Sequence, residues 1–364
     1  MKYVRAVFFI CSAIFSPTLL TNEKDRTEVS LFANFESLAW SESFPLADLD
    51  GKTKSDYESG ESIFVNGSTE IGVRSRSWEL ALIARADHFV DHSGDLSALT
   101  YLQENNLPIK AGTDYRIYSD IEVAHSRGLR LGYVKEVFPA MRLGFRVSYL
   151  QASRIISARA LGHFRLLENG TPFGTANFVY HAGTDYLFDE KYAQPEGQGY
   201  AADLFFGWQV NKNWVLSIDA KDIYNEIRWP STPRTVAAVD SMGLRTDDSD
   251  RLISNPLLSG RQNTVGYDQV LPRRTMVEAS YRFANDSSIA VESFISNGAI
   301  IPTLKYSDDS PRKNRWSMEF SPTVNAYGIG VHYNDLSFSV RVDGLNDSEI
   351  RYILLDLTLS LRVF

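Results

Sequence analysis

The segment 352–364, YILLDLTLSLRVF, alternates without a fault from 355 to 363. Leu355, Leu357, Leu359, Leu361 and Val363 hold one parity, and Asp356, Thr358, Ser360 and Arg362 hold the other. Successive side chains of a strand point to opposite faces, whereas a helix repeats its apolar residues every third or fourth position. The segment therefore reads as a strand with one apolar and one polar face. A slip of one residue would turn every leucine to the wrong side, so the pattern also fixes the register.

The same period recurs along the chain. In 78–90, Trp78, Leu80, Leu82, Ala84 and Ala86 oppose Glu79, Arg85 and Asp87. In 141–149, Met141, Leu143, Phe145, Val147 and Tyr149 oppose Arg142, Arg146 and Ser148. The segments 200–210, 214–221 and 336–342 repeat it, and weaker versions lie at 28–40, 61–73, 113–125, 129–137, 154–166, 173–183, 263–271, 274–283, 288–296, 315–321 and 326–333. Short polar connections at 75–77, 211–213, 284–287 and 334–335 read as turns, while 41–60, 91–112, 186–199 and 245–263 read as long loops. These spacings predict sixteen to eighteen strands.

Composition then decides where such strands belong. Mean hydropathy is only −0.21, yet aromatic residues make up 12% of the chain. Strands that are apolar on one face alone produce this combination, because half of each is polar. No stretch beyond residue 21 reaches 18 apolar residues, so no membrane-spanning helix is expected. Residues 1–21 have the layout of a secretory signal, with Lys2 and Arg5 ahead of an apolar run broken by Ser12, Ser16 and Pro17. Removal of residues 1–21 takes the formal charge from −8 to −10, by loss of Lys2 and Arg5, and removes the single cysteine, Cys11, and with it disulfide chemistry. An acidic chain without basic runs is not built for nucleic acid.

The expected fold is all-β: a transmembrane, antiparallel, up-and-down β-barrel of about 16–18 strands over residues 22–364, one domain after the signal. The export signal, the alternation and the mixture of short turns and long loops resemble bacterial outer-membrane barrels. In particular, GYAADLFFGWQVNKNWVLSIDAKDIYNEIRW at 199–229 is similar to an uncharacterised porin-like family of proteobacterial outer-membrane barrels. That resemblance implies residence in the bacterial outer membrane, with its lipid and the barrel assembly machinery as partners. It implies no activity, and a homo-oligomer, a trimer, follows from porin analogy alone. By the same resemblance Leu357, Leu359, Leu361, Val363 and Phe364 form the assembly signal, although Phe364 is one residue out of phase with the leucines.

The alternation also sorts candidate residues. Trp78, Trp208, Trp214 and Trp316 stand at strand ends, where aromatic rings form an interface girdle. The polar parity supplies the lumen-lining candidates Glu79, Arg85, Arg142, Arg146, Asp203, Asp219, Lys221, Glu278, Arg282, Glu292 and Arg341. With sixteen or more strands these would line an open aqueous channel for small polar solutes, and Arg142 and Arg146 would form a positive step within it. A structural or secretion-associated barrel that binds a partner through long loops is the alternative, and an outer-membrane hydrolase comes third. No catalytic residue is assigned: Asp87–His88 and Asp91–His92 are sequence neighbours, which a strand points to opposite faces. Neither a metal site nor a cofactor is expected, since the acidic run 246–250 lacks the glycine and distal glutamate of a calcium loop. The stretch 222–229, DIYNEIRW, breaks the alternation, either as an inward constriction or, the favoured reading, as an irregular extension of the strand.

Overall fold

The computed structural model describes residues 29–50, 57–184, 194–241, 244–246, 252–254, 258–308, 310, 314–346 and 348–362. The expected signal, the acidic run 247–250, Val363 and Phe364 lie outside these residues. The strands in order are β1 (Val29–Ser41), β2 (Ser62–Ser75), β3 (Trp78–His92), β4 (Asp114–Phe138), β5 (Met141–Leu166), β6 (Pro172–Ala182), β7 (Gly197–Gln209) and β8 (Trp214–Asp240). A small hairpin, β9 (Leu244–Thr246) and β10 (Leu252–Ser254), follows. The rest are β11 (Leu258–Gln269), β12 (Arg274–Arg282), β13 (Ser287–Ser296), β14 (Ala299–Asp308), β15 (Asn314–Ser321), β16 (Ala326–Tyr333), β17 (Leu336–Val342) and β18 (Tyr352–Arg362).

Sixteen of these strands form one antiparallel sheet, within the expected range, but only fourteen circle the barrel. The circle closes where β1 pairs with β18, from Ser30–Arg362 to Trp40–Tyr352. Closure leaves no free backbone edge around the belt, which hydrocarbon demands. The rim that carries the tight turns β2–β3 and β7–β8 is the lower end, and the opposite rim is the upper. The two extra strands arise because β5 and β8 are long. The lower part of β5 pairs with β7 and its upper part with β6, while β8 pairs below with β7 and β12 and above with β6 and β11. The upper parts of β4, β5 and β8, with β6 and β11, therefore rise as a blade above one side of the barrel.

Three strands run longer than their sequences suggest. The stretches 113–125 and 129–137 are one strand, β4, and 141–149 and 154–166 are one strand, β5. The register between them shifts at His125/Ser126, which breaks the alternation without ending the strands. Likewise 222–229 is the continuation of β8. Asp222, at φ 59°, sits in a bulge that shifts the β7–β8 register between Ala202 and Leu204. Of the expected long loops, 91–112 contains a helix, α1 (Gly94–Glu104), whose N-cap Ser93 accepts the Leu96 N–H through its hydroxyl.

The outer face carries an apolar belt. Leu80, Leu82, Leu129, Leu131, Phe145, Val291, Met318, Ile329 and Val331 all stand exposed on outward-facing positions. No helix among the described residues is long and apolar enough to cross a membrane; the belt is made by strands.

Candidate functional site

The polar parity predicts an inward face lined by water. Instead most of its mid-barrel charges are paired with one another and shielded from solvent, against the open-lumen expectation. A water-filled barrel would leave inward side chains accessible, but Arg85, Asp87, Arg130, Asp203, Asp222 and Arg341 are each at most 5% exposed. Fourteen strands rather than sixteen or more make the section narrow enough for long side chains to meet across it.

One network spans β2, β3, β4, β5, β7, β8 and β12. The Arg85 guanidinium donates to both Asp222 oxygens, at 2.7 and 2.8 Å, and to both Asp87 oxygens, at 3.1 and 3.2 Å. Arg274 donates to the same Asp222 at 2.7 Å and stands 3.6 Å from Asp87. The β8 bulge makes this possible, because it turns Asp222 inward and lets its N–H donate to Asp203 at 2.8 Å. Asp203 also faces Arg130 at 3.0 Å, and Arg130 pairs with Glu70 and donates to Ser148. Below, Arg146 lies 3.7 Å from Glu79 and 3.6 Å from Asp219, and Arg74 donates to Glu79 at 2.7 Å.

A second network lies against β13, β14, β15, β17 and β18. Arg341 donates to Glu319, to Thr303 at 2.9 Å, to the Tyr352 hydroxyl at 3.2 Å and to Glu292 at 3.4 Å. Lys305 stands 3.5 Å from Glu319, and Lys221 reaches across from β8 to Glu36 on β1. Acid is in excess here: Glu36 and Asp356 are direct cross-strand partners, as are Glu278 and Glu292. Among the described residues, Asp356 Oδ1, Thr358 Oγ1 and Asn34 Oδ1 have no hydrogen-bond partner.

Both networks use the same device. Gly132 lies in register between Glu79 and Arg146, and Gly328 lies between Glu319 and Arg341. A Cβ at Gly132 would meet both neighbours' side chains at 3.3 Å, and one at Gly328 would meet Arg341 Cβ at 3.1 Å. The glycines leave room for an acid and an arginine from flanking strands to lie over them.

Above the charges sits an apolar layer. Trp40, Phe64, Phe89, Ile155, Ile227, Trp229, Phe294, Ile301 and Leu354 pack together, with Phe64 and Phe294 meeting across the lumen at a ring separation of 5.5 Å. Trp229 is fully buried, and its Nε1–H donates to Gln269 Oε1 at 3.1 Å. The 222–229 stretch is therefore the strand extension, and it carries Ile227 and Trp229 into this layer. Over the layer, at the upper rim, opens a cleft of about 430 Å³ lined by polar residues of β2, β3, β4 and the β13–β14 turn.

The remaining sequence candidates fall as follows. Trp78, Trp208, Trp214 and Trp316 face outward at the lower ends of β3, β7, β8 and β15. Leu357 and Leu359 lie on the outward parity of β18 with the exposed Leu361. Arg142 is half-buried at the lower rim opposite Glu136, and Arg282 is exposed at the end of β12. The Asp–His neighbours are split: Asp87 turns inward to Arg85, while His88 Nε2 lies 2.8 Å from His125 Nε2. Asp91 accepts from Ser62, and His92 Nδ1 contacts the Ser93 carbonyl. The parity reading missed Glu36, Glu70, Arg130, Asp222, Arg274, Lys305 and Glu319.

No family model matches the chain, and no curated protein matches it. Among solved structures, a mutant of the monoaromatic hydrocarbon channel TodX aligns over 93% of this chain and 91% of its own, at TM-score 0.45 and 8% identity. The monoaromatic hydrocarbon channel CymD aligns over 93% and 89%, at TM-score 0.45 and 7% identity. A Pseudomonas aeruginosa FadL homologue aligns over 92% and 88%, at TM-score 0.34 and 10% identity. Similarity at this level assigns no substrate.

Proposed function

We propose that the chain is a barrel of the bacterial outer membrane that passes small polar solutes, and that the arrangement described above is its closed state. The chemistry of the filling carries this reading. Burying ion pairs gains little stability over well-packed apolar side chains. Yet charges of both signs run through the section that the apolar belt surrounds. Ionisable groups kept at membrane depth mark solute or ion paths. A charged solute can replace such pair contacts one at a time, and the apolar layer above them serves as the barrier. On this reading the partners are outer-membrane lipid and the barrel assembly machinery.

The test is a planar-bilayer recording. Wild-type protein should be nearly silent, and Trp229→Ala combined with Phe294→Ala should raise conductance by removing the barrier. A variant that folds, inserts and stays silent would sink the channel reading. The completeness of the filling favours, as a second reading, a non-catalytic structural barrel, and that silence is its expected result.

A further inference from the structure

The cleft at the upper rim has a charge pattern of its own. Glu42 follows β1, Glu61 precedes β2, Asp91 and His92 end β3, Arg116 and Tyr118 come from β4, and Asn297 comes from the β13–β14 turn. Two of the three carboxylates have fixed contacts: Glu42 accepts the Glu61 N–H at 2.8 Å, and Asp91 accepts the Ser62 hydroxyl at 3.3 Å. Among the described residues, the Glu61 carboxylate has no such contact. The Arg116 guanidinium lies 5.7 Å from the Tyr118 ring centre, with no carboxylate bound to it among the described residues; Asp95 accepts the backbone N–H of Arg116 instead.

An independent observation points to a ligand. His92 is only 6% exposed, and its Nε2 has no hydrogen-bond partner among the described residues, although its Nδ1 is held against the Ser93 carbonyl at 3.2 Å. A buried polar atom without a partner is costly. His92 is one of the residues that line the cleft, so a solute that seats there and displaces the ring slightly supplies the missing bond.

We propose that the cleft binds a small zwitterionic solute with surplus positive charge, a basic amino acid or a short basic peptide. Its ammonium groups face Glu42, Glu61 and Asp91, its carboxylate faces the free Arg116 guanidinium, and His92 Nε2 completes the set. Three acids against one arginine select against net-negative solutes, since unpaired like charges cost affinity. The proposal deepens the solute-passing reading and rests on the upper rim being the mouth that meets solute.

The experiment is equilibrium calorimetry on the full chain, folded in detergent, with L-lysine as probe and cadaverine and glutarate as comparisons. L-lysine should bind saturably at one site, and glutarate should not bind. Glu61→Gln with Asp91→Asn should weaken L-lysine about tenfold or more, since the loss of even one charge-assisted contact has that effect. Arg116→Gln should weaken L-lysine and leave cadaverine, which has no carboxylate, unchanged. Wild-type protein that ignores L-lysine, or a folded double variant that binds it as tightly as wild type, would overturn the site. Binding needs no conduction, so a protein that binds L-lysine while its Trp229→Ala, Phe294→Ala variant stays silent removes only the channel reading. A conducting barrel that does not bind it removes only this site.

Discussion

The two sides of the barrel are built to different heights. On the tall side β4, β5 and β8 have 25, 26 and 27 residues. On the short side β15, β16 and β17 have 8, 8 and 7. The interiors differ as well. The tall side fixes its arginines by multiple short contacts to acids that are themselves fully buried, as Arg85 and Arg274 do with Asp222. The short side places more acid than base on its inner face and gathers it around Arg341 and Lys305. Both sides pair their arginines closely, and what sets the low wall apart is its surplus acid. If polar groups shift during passage, that unmatched acid is where a cation would be met.

Stability should expose this contrast most strongly at Asp222. Asp222→Ala leaves Arg85 and Arg274 buried with Asp87 alone, which should cost about 3–5 kcal/mol. Glu292→Gln on the other side leaves Arg341 with Glu319, and about 1 kcal/mol is expected. Urea unfolding of the barrel in lipid measures both. Equal costs would erase the distinction between the two networks.

The belt offers a second comparison. Leu129 and Ile329 both face outward, at 52% and 57% exposure. Leu129→Arg, within a long strand, should cost roughly 2–4 kcal/mol if it lies near the midplane. Ile329→Arg should cost less, because no residue of an eight-residue strand lies far from a polar rim. The same unfolding measurement applies, and a larger loss at Ile329 would mean that the belt is misplaced.

The smallest effect belongs to the blade. His181 of β6 stands above the fourteen-strand section, contacts Thr232 of β8 at 3.1 Å and stacks on Tyr267 of β11 at 4.1 Å. Burial, with Arg234 nearby, pushes its pKa down to about 4. The folded blade therefore favours the neutral ring. That contribution is complete above the ordinary histidine range and is lost as pH falls toward about 4. Amide exchange in β6 and β11 should quicken over that window in the wild type and stay flat in His181→Gln. A flat wild-type profile would remove His181 as the cause.

Much of this was readable from the alternation, and the exceptions have physical causes. Arg85, Arg146, Asp219, Glu292 and Arg341 sit on clean strands, and Asp203 and Lys221 keep the alternation up to the bulge, so parity alone turns them inward. Arg130 lies where the β4–β5 shift clouds the parity, and Asp222 lies on a bulge that the period-two rule reads as outward. Arg274 shares the parity of Glu278 and Arg282, so alternation does turn it inward; what the period hides is its reach to Asp222. The count of strands could be read, but not that β6 and β11 leave the circle, because which strand pairs above and which below leaves no mark on either sequence. The filling was hidden for a related reason: a polar inner face looks the same whether its charges meet water or each other.

The uneven height has a consequence for the surrounding lipid. A strand tilted as in such barrels needs about 9–11 residues to cross the hydrocarbon. β15, β16 and β17 fall short of this, while β4 and β5 exceed it. In the outer membrane proposed above, acyl chains beside the low wall would compress to cover it, at a fraction of a kcal/mol per Å of mismatch. That bilayer would be thinner at β16 than at β4, so the barrel should tilt and prefer short-chain lipid on one flank only.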